Sequence, residues 1–475
     1  MRGAHYTFTF LTLALFACSS NSAGGGNAGS SAAGGGSAGS DSASDGPPAL
    51  SAAELGVLRS LSPDTLPPVG PDISNRFADN PGAAAFGQRL FFDPGFSGKL
   101  LDGDNDGSMN ALGRVGDTGK VACAGCHVPS AGFVDNRSLG EQVSLAAGWG
   151  RRKAPSLLDV AQAPLVTWDG RRDALYNQPF APIESPIEMN SSRLFAAEQL
   201  YARHRSEYEA IFGAMPPLDD AQRFPQLSAA QTGCHPSHAD TEPQCNGTED
   251  GVPGDGAEFD GLSAADQDLV TGVVVNAGKA LGAYERLLTC GPGRFDQWMH
   301  GQTDALSVSE QRGAQLFVGR GQCVNCHSGP FLSDQKFHNV GLQPAIVAVV
   351  FLDSDDSGAS VGLAAAVADP LNVRGHFSDG DDGRLPSAVG PELLGAFRTP
   401  MLRCGATHPS FMHTGQLSTL SAVVGFFARG GDTFGFPGKS EIAPLELTAQ
   451  DQVDLVAFLK ALAGPGPANE LLTSP

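Results

Sequence analysis

The sequence predicts a mainly α fold built from two related halves joined by long loops. Three observations carry this prediction. Strand-like alternation is nearly absent, apolar residues recur at helical spacing in several windows, and a short helical segment followed by a Cys-x-x-Cys-His cluster occurs twice. The first copy runs "AAAFGQRLFFD" ahead of Cys123, Cys126 and His127; the second runs "EQRGAQLFVGR" ahead of Cys323, Cys326 and His327. Each half is expected to open with a helix carrying Gly and then Leu-Phe.

In chain order, Arg2 and an apolar run from Phe8 to Ala17 precede Cys18 in the box Leu15-Phe16-Ala17-Cys18. The run is too short to span a bilayer and reads as a signal peptide, 1–17, with Cys18 as the lipidated first residue of the mature chain. Residues 18–50 then form a tether of mostly Gly, Ser, Ala, Asn and Asp, which cannot bury enough apolar surface to fold. The expected location is the periplasmic side of a bacterial cell envelope, as an outer-membrane lipoprotein held by its lipid alone. The repeat places an N-terminal domain at 51–260 and a C-terminal domain at 261–475.

Within these, Ser263 with Asp266 opens a helix whose Leu269, Val270, Val273, Val274, Ala277, Leu281 and Tyr284 share a face. Thr448 with Asp451 opens another, with Leu455, Val456, Leu459 and Leu462 on one face and Gly464-Pro465 as its stop. The Gly-, Pro- and Asp-rich stretches 228–261 and 352–391 read as loops.

Of 9 cysteines, one goes to the lipid and four to the repeated clusters, leaving Cys234, Cys245, Cys290 and Cys404. That even remainder suits disulfides in an oxidising compartment, and Cys234 with Cys245 brackets a loop that a disulfide could close. The net charge of -21 excludes nucleic acid as a partner and favours a cationic or dipolar protein partner.

Cys-x-x-Cys-His is the spacing of covalent c-type haem attachment: two thioethers clamp the macrocycle while the adjacent imidazole reaches the iron. His127 and His327 are the expected iron ligands. The segment "VTWDGRRDALYNQPFAPIESPIEMN" carries Trp168, Gln178 and Glu188 and resembles the segment of the bacterial di-haem cytochrome c peroxidases in which a tryptophan lies between the haems and a glutamine and a glutamate face the peroxide site. A carboxylate over an open iron face can take a proton from the near oxygen of peroxide and return it to the departing one. Glu188 is the candidate for this, against the alternative that it caps a helix beginning near Asn190. Gln178 would orient peroxide or water, and Trp168 would pass electrons. Trp149 and Trp298 are read as packing.

With these motifs, and with "FRTPMLRCGATHPSFMHTGQLSTLSAVVGFFARGG" downstream, the chain resembles the bacterial di-haem cytochrome c peroxidases and their MauG-type relatives over roughly 78–463. The resemblance implies two cytochrome c-like domains with one covalently bound haem c each, the first peroxidatic and the second an electron-transfer haem. It implies reduction of hydrogen peroxide with electrons from a small donor, a c-type cytochrome or a cupredoxin. One rival keeps the haems but uses peroxide to oxidise side chains such as Trp of a partner protein, as in MauG and the methanobactin-associated di-haem enzymes. Another is a di-haem electron carrier without turnover, which Glu188 and Gln178 beside an open iron disfavour.

Three departures from the family pattern matter. No histidine lies between His127 and His204, so the distal ligand that closes the first haem in relatives is missing. Lys153 stands where relatives carry an asparagine that ligates calcium, which makes calcium doubtful and would supply a positive charge directly. Phe427 stands at the far ligand of the second haem, so either a substitute comes from Met401, Met412, His338, His376, His408 or His413, which is the expectation, or the second iron is also five-coordinate. The fragment "DGDNDGS", with Asp102, Asp104 and Asp106, resembles half a calcium loop but has Gly113 at the closing position.

Overall fold

The computed structural model describes residues 46–137, 143–235, 244–245, 257–343 and 356–475. The expected signal peptide, Cys18 and nearly all of the tether lie outside the described residues. Within them the chain is mainly helical, and its strands are two antiparallel pairs, Cys234–His235 with Gln244–Cys245 and Phe337–His338 with Phe397–Arg398. No helix among the described residues is long and apolar enough to cross a membrane.

Helix starts follow local chemistry. Ser51, Ser192, Ser263, Ser307, Thr419 and Thr448 each accept a backbone N–H three positions on, which satisfies donors that a helix leaves orphaned. The expected start at Ser263 is among them, and Thr448 with Asp451 forms the full reciprocal box.

Two helix crossings, one for each copy of the repeat, organise the packing. Pro81–Phe92 packs against Ala264–Glu285, and Val308–Val318 packs against Ala449–Ala461. Each crossing is closed at the glycine of the repeat. A Cβ on Gly87 would lie 2.0 Å from the Ala280 carbonyl oxygen, and one on Gly313 would lie 2.0 Å from that of Asp454. The Leu-Phe beyond it, Leu90-Phe91 and Leu316-Phe317, is buried in both copies. The repeated Gly-x-x-Leu-Phe is thus the sequence record of a tight crossing with a large apolar residue just beyond it.

The crossings seed two apolar cores. One gathers Phe86, Phe91, Phe133, Tyr176 and Tyr284; the other gathers Phe295, Phe317, Phe458 and Leu462. The cores do not separate at the expected boundary at 260. Ala264–Glu285 belongs to the first core, while Leu58 and Leu61 of the Ala52–Leu61 helix belong to the second. A helix joins the core that its apolar stripe fits, and chain order does not dictate which one that is.

Smaller expectations also shift. Leu269 is 41% exposed, at the edge of the stripe set by Val270, Val273 and Val274. In the last helix Phe458 and Ala461 are fully buried, with Val456 and Leu459 at the margin of the core. The stretch 352–391, expected as loop, contains the helix Ala359–Ala368, whose Gly362 lies so close to the Asp169 carbonyl that a Cβ would come within 2.2 Å. Its run of alanines favours a helix, and only tertiary contact with Asp169 shows where it docks.

A further constraint runs along residues 397–404. Arg398 N–H donates to the Trp168 carbonyl at 2.8 Å, Thr399 N–H donates to the Lys336 carbonyl at 2.8 Å, and Ser333 Oγ donates to the Thr399 carbonyl at 2.7 Å. The Arg403 guanidinium, fully buried, donates to the Pro330 carbonyl at 2.6 Å and to both Asp296 oxygens at 2.7 and 3.0 Å. Cys404 closes a disulfide with Cys290, their Cα atoms 6.1 Å apart. The backbones of Cys234 and Cys245 face each other across the short hairpin, and their side chains lie outside what is described.

Stability should depend on both the crossings and this buried pair. Gly87→Ala and Gly313→Ala should each cost about 1–3 kcal/mol or more by overpacking, whereas Gly56→Ala, which meets nothing within 4 Å, should be neutral or stabilising; chemical denaturation checks the contrast. Asp296→Asn leaves Arg403 buried without its counter-charge and should cost about 3–5 kcal/mol. Burial alone would raise the Asp296 carboxyl, but bonds from Arg403, Ser62 and the Gly293 N–H outweigh it and hold it below the usual range. Its contribution is therefore present above the unfolded carboxylate value near ~4 and is lost as pH falls below it. Acid unfolding of the parent, compared with Asp296→Asn, should show that step only in the parent.

Candidate active site

Both Cys-x-x-Cys-His clusters present the histidine in the same way. His127 Nδ1 lies 3.2 Å from the Phe133 carbonyl, and His327 Nδ1 lies 2.9 Å from the Leu332 carbonyl. A carbonyl only accepts, so Nδ1 carries the proton in each ring and Nε2 is left with its lone pair, as a metal ligand requires. Phe133 and Leu332 both sit at positive φ, 60° and 49°, an uncommon conformation for these side chains that turns their carbonyls toward the rings. Burial lowers both imidazole pKa values and so favours the neutral form. The four cysteines form no disulfide.

The first cluster opens onto a cavity of about 710 Å³, within the range of cofactor sites. Cys123, Cys126, His127, Trp168, Gln178 and Glu188 all line it. The structure thus gathers one attachment cluster and all three candidate functional side chains around one space. The donor set fits a covalently held haem: a pinned imidazole, two thiols on one helical turn, and a largely apolar wall that includes Phe91, Phe96 and Leu281. Among the described lining residues the one imidazole is that of His127, and the one thioether is that of Met189.

Glu188 is not the cap of the following helix. Ser192 takes that role for Arg193–Phe212, leaving the Glu188 carboxyl to the cavity, while its backbone carbonyl accepts from Ala147 at 2.9 Å. Burial raises its pKa, against the opposing pull of Arg171 and Arg172. A carboxyl shifted toward neutrality suits proton transfer in both directions. Trp168 is held at both ends: its Nε1–H donates to the Lys153 carbonyl at 2.8 Å, and its own carbonyl accepts from Arg398.

Two lining residues escaped the sequence reading. Glu285 ends the Ala264–Glu285 helix as a buried carboxyl, and burial pushes it up to about 8. Its signal was present, since it stands four positions after Leu281 on the buried stripe. Arg398 is buried at the cavity wall, and burial lowers it to about 10. Nothing in its local sequence marks it as different from any other arginine.

At the second cluster, Phe427 packs edge-on against Phe426 and offers no donor atom. Of the candidate imidazoles, two are bonded to carboxylates, while His408 Nε2 is buried without a hydrogen-bond partner among the described residues. His338 lies 2.9 Å from Asp334 and 2.7 Å from Glu441, with the Cys326 sulfur and then these carboxylates pushing it up to about 10. His376 bonds Asp268, His413 stacks on Phe397 with centroids 3.5 Å apart, and His408 lies against Gly132 of the first cluster's loop. Met401, Met412, His408 and His413 remain as substitutes.

Neither proposed calcium position is organised as a cation site. Lys153 occupies the first, its Nζ donating to Ser410 Oγ at 2.6 Å. In the acidic fragment, Asp102 and Asp106 accept from the N–H of Asp104 and Ser108, and Asp104 accepts from the Trp149 indole at 2.8 Å. Trp149 therefore has a polar partner, while Trp298 packs against the second core.

Residues 81–232 match the family described as di-haem cytochrome c peroxidase. The chain is 28% identical to the methylamine utilization protein MauG of Methylorubrum extorquens over 80% of its own length and 78% of that protein. It is also 28% identical to the cytochrome-c peroxidase IdrP1 of Denitromonas iodatirespirans, over 82% and 84%. Among solved structures, the diheme peroxidase BthA of Burkholderia thailandensis matches at 22% identity with a TM-score of 0.56, covering 85% of this chain and 92% of that one. A MauG-like protein associated with microbial copper homeostasis matches at 22% identity with a TM-score of 0.54, covering 87% and 96%. At that identity the two structures speak for a shared fold.

Proposed function

Since the chain belongs to the di-haem cytochrome c peroxidase and MauG family and is an oxidoreductase of the cytochrome-c peroxidase type, we propose that it is an exported di-haem enzyme that reduces hydrogen peroxide with electrons from a small redox protein. The observation that carries this is the single cavity lined by Cys123, Cys126, His127, Trp168, Gln178 and Glu188. Each half would hold one haem c, through Cys123, Cys126 and His127 in the first and Cys323, Cys326 and His327 in the second. Haem supplies an iron that binds peroxide and exchanges electrons.

The residues of the chain do the rest. Glu188 takes a proton from the near peroxide oxygen and delivers it to the far one, so that two electrons and two protons give two waters. Gln178 orients the peroxide through its amide. Trp168, clamped at its indole and its carbonyl, conducts electrons between the halves with little movement. Export and attachment to the envelope rest on residues 1–18, and the donor is a small c-type cytochrome or cupredoxin. The 28% identity to MauG supports a second reading, oxidation of side chains on a partner protein. Peroxide added with a small reduced cytochrome separates the two: rapid turnover supports the peroxidase, and slow decay with self-oxidation supports the protein oxidase.

Glu188→Gln should leave cyanide binding intact and slow peroxide cleavage by about a hundredfold or more, the range for loss of a general acid/base. Stopped-flow spectra with each ligand check this, and the resting oxidised parent should react without prior reduction because no second histidine lines the cavity among the described residues. Trp168→Phe keeps an aromatic body in place. It should retain haem content while slowing any step that needs both irons; single-turnover oxidation of the fully reduced protein gives that rate.

A further inference from the structure

We propose that Lys153 and Arg398, each hydrogen-bonded to Trp168 through its backbone, form a two-cation seat that binds the carboxylate side chains of the cofactor, the haem propionates. The proposal rests on the haem reading above and concerns how this chain receives the group. Both residues line the cavity and are nine-tenths buried, 4% and 8% exposed. Both are tied to Trp168 by backbone bonds: the Lys153 carbonyl accepts from the indole, and the Arg398 N–H donates to the Trp168 carbonyl.

Neither cation has a carboxylate within ion-pair distance among the described residues. Lys153 Nζ bonds only the hydroxyl of Ser410. The Arg398 guanidinium makes two long contacts to neutral acceptors, 3.4 Å to the Thr167 carbonyl and 3.3 Å to Gln335 Oε1. The other lining guanidiniums differ. Arg152 is held by Asp169 and Asp356, Arg172 by Asp369, and Arg171 by Asp169, while Arg151 is exposed. Asp135, the carboxylate that acts on Lys153 from a distance, is itself paired with Arg137.

Buried unpaired cations are strongly disfavoured, and proteins that keep them supply a counter-ion. Two such cations on the wall of a cofactor-sized cavity define an anionic ligand with two separable negative groups. A macrocycle anchored at Cys123 and Cys126 carries its two carboxylates on the edge away from those attachments. The seat would also explain why a lysine can replace the asparagine at this position: its charge is used where it stands.

The test is spectroelectrochemistry on the holoprotein. Lys153→Met and Arg398→Gln each remove a positive charge beside the cofactor and so favour the oxidised iron. Each should keep two covalent haems per chain, measured as the pyridine haemochrome. At a fixed electrode potential the reduced-to-oxidised ratio of the affected haem should fall about tenfold, equivalent to about 59 mV for one electron. Lys153→Arg and Arg398→Lys should restore most of it. Unchanged midpoints in fully loaded charge-removing variants would overturn the seat.

If those variants do not load, the parent decides. Redox-difference infrared spectra with isotope-labelled propionates should show ionised carboxylate bands, and protonated carboxylic acid bands would overturn the proposal. A parent protein without two covalent haems would instead defeat the functional reading itself.

Discussion

The segment 397–404 ties Trp168, on the wall of the first cluster's cavity, to the loop that presents His327. It donates to Trp168 at one end, pairs with Lys336 and Ser333 in the middle, and is anchored at the other by Arg403 on Asp296 and by the Cys290–Cys404 disulfide. Backbone hydrogen bonds are directional and costly to leave unmade once buried. The Trp168 backbone therefore cannot shift without breaking a bond to the segment that also positions the loop presenting His327. Tyr176 and Tyr284 fill the first core and Phe458 the second, while the seam runs from Trp168 to the loop beyond His327.

The molecule treats charge in two ways. Where architecture is at stake, buried ions are matched, as with Arg403 and Asp296, Arg172 and Asp369, or Arg152 between Asp169 and Asp356. Four groups on the cavity wall depart from that matching. Glu188 and Glu285 are moved toward neutrality by burial, and among the described residues Lys153 and Arg398 have neutral hydrogen-bond partners. Perturbed and unmatched groups that gather in one space mark a place arranged for a ligand and for proton movement.

The two pinned imidazoles show how a small device is duplicated without being copied. In the first cluster the accepting carbonyl lies six positions beyond the histidine, in the second it lies five beyond, and both residues adopt positive φ. The spacing differs while the geometry holds, because what the ring needs is an acceptor at Nδ1, whichever residue provides it.

The sequence by itself determined what depends on short spacing. Cys123, Cys126 and His127 are close because they are neighbours in the chain, helix starts at Ser263 and Thr448 are local hydrogen bonds, and the glycine of each Gly-x-x-Leu-Phe is legible as a repeat. Trp168, Gln178 and Glu188 could be named because they share one segment with a family pattern. The tertiary structure decided everything that needs a partner far along the chain. It assigned Ala264–Glu285 to the first core and Ala52–Leu61 to the second, docked a helix within an expected loop, and brought Glu285 and Arg398 to a cavity more than a hundred residues from their own motifs. The reason is physical: a propensity or a cap is set by the nearest few residues, whereas burial, and the loss of a counter-ion that accompanies it, belongs to the packed whole.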